Sequence, residues 1–467
     1  MTAPRALSFP QNSPLQKLGF SVLLFFLFLL HSRILDLVLS TFHIPILSLY
    51  SSVAAAFLSG GILRALTHRL GVVWVAFTVW MIFAVPFSVW PGGAAHFATL
   101  WLKVVLIYFV IVGLIGDFDQ LRRAIQVIAF AIFVLSLLTI PFGSMADGRL
   151  VLARGRFENP NDLAQIMLMA LPLWWFIAQD PQLSRARRAG AYLAMAPIFW
   201  TMARTGSRGA LIASLVVGFI LFLRSSMTQK FQIVAGSVIL LIAAALLLPT
   251  ALKERYFTFL STKDTPYESA QQERIEDSAV SSTLGRWNML QDSIAITLRN
   301  PLFGVGAGQF VVAQDIYARE VKHEKKGSWQ VTHNTYTEVS SENGIPGFVF
   351  YMLALFFTFR TAKLPLAFRT RRLPPELAEI ATASFCLRLS TLAFAVSALF
   401  ASLTYQTQLV TLSALAVVLS RTSRPVIERW QQTPRAPAPA PQSRVARNDT
   451  LRLAHGGALK CAGSQGS

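Results

Sequence analysis

The chain has 467 residues, of which 54% are hydrophobic and only 14% charged, and a mean hydropathy of +0.50. That balance excludes a soluble globular domain and a disordered chain, and indicates an all-α integral membrane protein. A net charge of +19 would suggest nucleic acid in a soluble protein. Here the excess lies in short loops between apolar runs and in the tail, so it is a topology signal; membrane lipids, anionic ones included, are the expected partner and nucleic acid is not. The two cysteines, Cys386 in an apolar run and Cys461 in the tail, support neither a disulfide framework nor a cysteine metal site.

In chain order, apolar runs predict about twelve membrane-spanning helices, each long enough to cross ~30 Å of hydrocarbon. They lie near 18–40, 44–62, 71–90, 97–116, 121–141, 162–179, 187–203, 208–223, 231–249, 344–360, 376–397 and 400–420. The first run lacks a small-residue cleavage site followed by a soluble domain, so it reads as a retained span. Arg64 and Arg69, Arg122 and Arg123, Arg185 to Arg188, Arg224 and Lys230, and Arg360 to Arg372 fall in alternate loops, which are therefore expected to be cytoplasmic. The same parity puts both termini in the cytoplasm and the long 250–343 segment outside, in the periplasm of a Gram-negative cell. The expected organisation is an N-terminal bundle over 1–249, the outer segment 250–343, C-terminal spans over 344–420, and a basic tail over 421–467. That tail, with "TPRAPAPAPQSRVARNDT", has the Pro, Ala and Arg content of a disordered segment.

Outer loops should be poor in arginine, yet two are not. "DGRLVLARGRFENPNDLAQ" carries Arg149, Arg154 and Arg156, and "ARTGSRGA" carries Arg204 and Arg208. Singly, such residues serve as anchors that snorkel to lipid phosphate. Arg204 and Arg208, four apart beside "TGS" at a span end, also suit an anion, because guanidinium groups grip phosphate oxygens in a bidentate fork. In the first loop, Asn159 and Asn161 bracket Pro160. Asn161 or Asp162 is placed to cap the following span; the surplus of Arg156, Glu158 and both amides marks a substrate-facing turn.

Within 250–343, "LGRWNMLQDSIAITLRNP" spaces Leu284, Trp287, Leu290, Ile294 and Leu298 at three or four residues. This predicts an amphipathic helix on the membrane surface or over the bundle mouth, carrying Arg286 and ended by Pro301. The glycines of "PLFGVGAGQF" follow no strand, so a dinucleotide fingerprint is not expected there. "VTHNTYTEVSSENGIPGFVFYM" then turns from polar to apolar at Gly344. His333, at the outer face, is a candidate general base, with Glu338 or Glu342 available to orient it or hold a sugar; a lone interfacial histidine is otherwise more often structural. No H-E-x-x-H, carboxylate pair at metal spacing or G-x-S-x-G elbow is present, so neither a metal nor a serine hydrolase is expected.

Taken in order, "GRFENPNDLAQ", "TGSRGALIA", "STLGRWNMLQDSIAITLRNPLFGVGAGQF" and "HNTYTEVSSENGIPG" resemble the O-antigen ligase and polymerase superfamily of membrane glycosyltransferases, over roughly residues 150 to 360. The resemblance implies a GT-C-like helical bundle in the bacterial inner membrane that moves a glycan from undecaprenyl diphosphate to an acceptor hydroxyl at the periplasmic face, with no cofactor. It implies diphosphate binding by Arg204, Arg208 and Arg286, and His333 as base. It places Arg156 and Asn159 in the family's N-P-N turn; Arg154, Asn161, Glu338 and Glu342 are candidate substrate contacts from their own placement in the outer segments. The acceptor on the favoured ligase reading is lipid A core; a polymerase would use a lipid-linked repeat. A transporter or flippase of lipid-linked oligosaccharide is the reading from another class, and would call on Arg33, Asp36, Lys103 and Arg388 within the spans.

Overall fold

The computed structural model describes residues 14–38, 43–146, 148–152, 159–257, 270–325, 327–364 and 373–432; Arg154, Arg156, Glu158, Cys461 and the tail beyond 432 lie outside them. Among the described residues the protein is all-α apart from one two-stranded hairpin. Nine helices are long and apolar enough to cross a membrane. They are α1 (Pro14–Ser32), α5 (Arg69–Ala84, extended by a 3-10 turn to Phe87), α6 (Pro91–Leu114), α7 (Phe118–Phe142), α8 (Pro160–Ala178), α11 (Met227–Leu247), α15 (Thr335–Thr361), α16 (Pro375–Ser397) and α17 (Thr407–Gln432). The other three predicted spans correspond to α3 (Ile44–Leu58), α9 (Arg185–Arg204) and α10 (Arg208–Arg224). These are helices, but α3 and α10 have only 15 and 17 residues, and α9 opens on the polar run "RARR". Short helices α2 (Ile34–Val38), α4 (Gly61–Leu66), α12 (Thr250–Phe257) and α14 (Phe310–Glu320), and the 30-residue α13 (Ala270–Arg299), complete the set.

Helix α8 is the axis of the bundle: all but its first and third residues are buried, with α7, α9, α10 and α16 around it. Because lipid tails are as apolar as leucine, such packing rests on close contact and interhelical hydrogen bonds rather than on escape from water. Trp174 Nε1 donates to Ala129 O of α7 at 3.1 Å, and Ser390 of α16 donates to Met169 O at 3.0 Å. On the other side α5, α6 and α15 enclose Trp74, Phe77, Trp101 and Tyr351, and Trp101 Nε1 donates to Thr78 Oγ1 at 2.9 Å.

One expectation changes. The last polar-to-apolar transition is not the start of a helix: α15 begins at Thr335, and Gly344 breaks it with φ 66° and ψ −176°. A break inside a membrane helix frees backbone groups that need partners, and here the segment 301–306 supplies them. Ile345 N donates to Pro301 O at 2.7 Å, Gly306 N to Glu342 O at 2.9 Å and Val305 N to Ser341 O at 2.9 Å. Trp80 Nε1 of α5 takes the Asn343 carbonyl at 2.9 Å. The helix expected over 284–298 is present within α13 and ends before Pro301, with Leu284, Trp287, Ile294 and Leu298 on its exposed face. Its other face, with Met289, Ser293 and Ile296, is buried, where Met289 and Ile296 form a small core with Val305, Phe310 and Ala313.

Candidate active site

The arginine-rich loop before α8 forms the hairpin of β1 (Gly143–Ala146) and β2 (Arg149–Leu152), paired antiparallel with Ala146 opposite Arg149. Arg149 therefore leaves the hairpin at a set point. Its Nε donates to Thr205 O at 2.8 Å and its Nη2 to Asn161 Oδ1 at 2.9 Å. Asn161 is buried and also accepts from Ser207 Oγ at 2.9 Å. The cap of α8 is Asn159, whose side chain accepts from Asn161 N at 2.9 Å with Pro160 in the first helical position. Asn161, one of the two residues expected to cap, instead ties the hairpin arginine to the next turn.

That turn, Ala203–Ser207, ends α9 and starts α10, with Ser207 as the N-cap. The carbonyls at the end of a helix lack helical partners and carry partial negative charge. Cations and donors accordingly gather on them: Arg149 on Thr205 O, Arg255 Nε of α12 on Gly206 O at 3.3 Å, and Tyr256 Oη on Ala203 O at 2.9 Å. Arg208, in the first turn of α10, and Arg286 of α13 come to the same place. Arg149 lies under the fields of Arg255, Arg286 and Arg208, and Arg286 under those of Arg208 and Arg255. Burial first, and these like charges second, lower Arg149 to about 9 and Arg286 to about 10. Such a crowd of guanidinium groups is unfavourable by itself and is relieved by an anion.

Arg204 is the last residue of α9, and its Nη2 reaches Met145 Sδ at 3.5 Å, in the same hairpin that carries Arg149. Of the three arginines expected from sequence to hold a diphosphate, Arg208 and Arg286 lie within one another's field and Arg204 touches the hairpin of Arg149. Arg149 and Arg255 stand in the cluster as well. Arg149 was visible in sequence as an out-of-place outer arginine; Arg255 carried no such signal, lying in a long segment of mixed charge.

His333 faces this cluster. It occupies the turn before α15 with φ 52°, a left-handed conformation that costs a non-glycine residue roughly 1 kcal/mol or more. The turn is clamped to the α16–α17 connection. His333 N donates to Ser402 Oγ at 3.1 Å, Thr335 N to Ala398 O at 2.8 Å and Thr335 Oγ1 to Ala401 O at 2.6 Å. Asn334 then caps α15 through Tyr336 N and Thr337 N. The imidazole is half-buried and its Nδ1 is buried with no hydrogen-bond partner. Burial, then the positive charges of Arg286 and Arg149, lower its pKa to about 4. It is thus neutral at pH 7, with Nδ1 not committed to any protein partner.

Neither glutamate bonds His333. Glu342 is buried, and its carboxylate accepts Gly308 N at 2.7 Å, Phe310 N at 3.2 Å and Tyr405 Oη at 2.5 Å. The glycine-rich loop and the start of α14 thus form an anion nest whose occupant is the protein's own carboxylate. Glu338 is likewise buried and accepts Thr404 N at 3.2 Å and Thr404 Oγ1 at 2.5 Å. Both carboxylates hold the frame of the site from below. Among the described residues no group of three or more His, Cys, Asp or Glu side chains is arranged to hold a metal ion.

Residues 193–352 match the family model described as O-antigen ligase. The match runs from within α9 to the apolar half of α15, about a third of the chain, and takes in Arg204, Arg208, Arg255, Arg286 and His333. Arg149 and Asn161 lie outside it. No curated protein matches the chain.

Proposed function

We propose, from the match of residues 193–352 to the O-antigen ligase family model, that the chain acts as a member of the O-antigen ligase and polymerase superfamily and transfers a glycan from undecaprenyl diphosphate to an acceptor hydroxyl at the periplasmic face of the inner membrane. The observation that carries this reading is the gathering of Arg149, Arg208, Arg255 and Arg286, of which Arg149 and Arg286 act on a neutral, half-buried His333. The arginines take the diphosphate of the donor. His333 takes the proton of the acceptor hydroxyl as its oxygen attacks the anomeric carbon. The bond from that carbon to the diphosphate oxygen breaks, and the electron pair leaves on a diphosphate whose growing charge the arginines stabilise. Attack from the face opposite the leaving group inverts the anomeric centre. The donor is already activated, so the step calls for no nucleotide and no metal.

Donor binding also readies the base. The same arginines that depress His333 are neutralised by the diphosphate, so the imidazole becomes more basic when substrate is in place.

A ligase acceptor, lipid A core, is the favoured reading, and a polymerase acting on lipid-linked repeats is the alternative. A flippase has less support. It would need ionisable groups along the spans free to change partners, whereas Arg33 is paired with Asp36 at 2.8 Å and the Arg388 guanidinium lies over the Phe359 ring at 4.4 Å. The test is glycan transfer by purified protein, wild type against His333→Ala, with lipid A core and lipid-linked repeat offered separately. Product on lipid A core that disappears in the variant supports the ligase; ladders on the lipid carrier support the polymerase. Transfer undiminished in His333→Ala overturns the assignment of the base. Glycan crossing a vesicle membrane without any transfer overturns the enzyme.

A further inference from the structure

A second cluster of cations lies at the opposite end of the bundle. Helix α6 starts beside the candidate site, where Gly93 packs on Gln309 and Phe97 lies against Gly308. Helix α17 starts just past Thr404 and Tyr405, which hold Glu338 and Glu342. Arg421 lies fourteen residues into α17, about 21 Å further along at the rise of an α-helix, and there donates to Val112 O at 2.9 Å and to Ile115 O. It thus caps the far end of α6. Helix α4 reaches the same point through a close backbone contact: a Cβ on Gly61 would stand 2.6 Å from Gly113 O. That contact brings in Arg64. His68 caps α5 by accepting Leu70 N at 3.2 Å, and Arg69 and Arg424 flank it.

The charged groups acting on His68 are Arg69, Arg424 and Arg421, all positive, and the one acting on Arg421 besides Tyr108 is Arg64. None of these residues is in an ion pair among the described residues. Arg69 is turned away over the Phe357 ring at 5.0 Å, and two Arg421 donors are taken by α6. Arg64, in contrast, has Nη1 buried with no hydrogen-bond partner, and Arg424 is exposed. A buried guanidinium N–H without an acceptor is costly, and Arg421, which feels the charge of Arg64, is a like charge nearby. We propose that Arg64 and Arg424, with Arg421 and His68 behind them, hold a phosphate-bearing anion at this end of the bundle. A guanidinium pair suits the two unesterified oxygens of a phosphodiester or the oxygens of free phosphate. At a membrane surface the abundant carrier of that group is an anionic lipid headgroup.

The experiment uses the full-length protein in detergent, titrated separately with phosphatidylglycerol, phosphatidylcholine and sodium phosphate, and read by thermal shift and by lipid adducts in native mass spectrometry. Wild type is compared with Arg64→Gln and, separately, with Arg424→Gln, an exposed change that leaves the helix packing alone. A lipid site is expected: phosphatidylglycerol stabilises and is retained, phosphatidylcholine is not, and either variant weakens retention about tenfold. Saturable stabilisation by sodium phosphate, lost in the variants, would assign the same site to a soluble phosphate. Equal retention of the two lipids, or equal retention by wild type and Arg424→Gln, would overturn the proposal.

Discussion

Glu342 holds the Gly308 backbone N–H at 2.7 Å across 34 residues of chain. Through it the glycine-rich loop is fastened to the helix that follows His333. Replacing it with alanine would leave two backbone N–H groups and the Tyr405 hydroxyl without their acceptor. Glu342→Ala is expected to cost about 3 kcal/mol or more and Glu342→Gln about half as much, since the amide still accepts. Thermal unfolding in detergent measures the order of the three proteins; an unchanged melting temperature in Glu342→Ala would refute the role.

Gly344 is expected to tolerate no side chain. Its φ is 66°, and a Cβ would stand 2.1 Å from Leu302 O. The left-handed penalty together with the displaced carbonyl predicts a loss of more than about 2 kcal/mol for Gly344→Ala. The yield of monodisperse protein reports it.

Asn161 tests whether Arg149 must be held. Asn161→Ala removes the acceptor of both Arg149 Nη2 and Ser207 Oγ. Transfer is expected to fall about tenfold to a hundredfold, mainly through donor KM. Asn161→Asp keeps the hydrogen bonds but spends part of the arginine charge on a carboxylate, so it should fold normally and still bind donor poorly.

The pH profile should separate free enzyme from complex. With His333 at about 4 in the free protein, kcat/KM is expected to stay flat down to about pH 5 before falling. Saturating donor cancels the arginine field, so the acidic limb of kcat should lie at higher pH. Coincident limbs would argue that the diphosphate does not reach this cluster. Stability carries the same sign: a histidine depressed from 6.5 to about 4 contributes fully above about pH 6.5, and that contribution is lost as pH falls towards 4.

Arg286 contributes to the depression of His333. Arg286→Gln is expected to move the acidic limb of kcat/KM upward by about half a unit to one unit and to raise donor KM about tenfold. A loss of rate with an unmoved limb would place Arg286 away from the base.

The spans were legible because each is a local property: a run of Leu, Phe, Val and Ala either reaches across hydrocarbon or does not, and the nine full-length helices all lie where apolar runs predict them. The same local reading falters at Gly344, where a helix continues through a glycine and a proline because the segment 301–306, more than 30 residues earlier, serves the broken backbone.

At the site, sequence alone carried the resemblance to the O-antigen ligase and polymerase superfamily and an excess of arginine where outer loops should have little. Only the tertiary structure decided which arginines share a field. Arg149, Arg255 and Arg286 come from three separate segments and share a field with Arg208, while Arg204 reaches Met145 in the hairpin that carries Arg149. Glu342, placed by sequence near the base, is claimed by a loop 34 residues away. Hydrophobic length is written residue by residue along the chain. The convergence of charges depends on distances between segments far apart in sequence, and those exist only once the helices have packed.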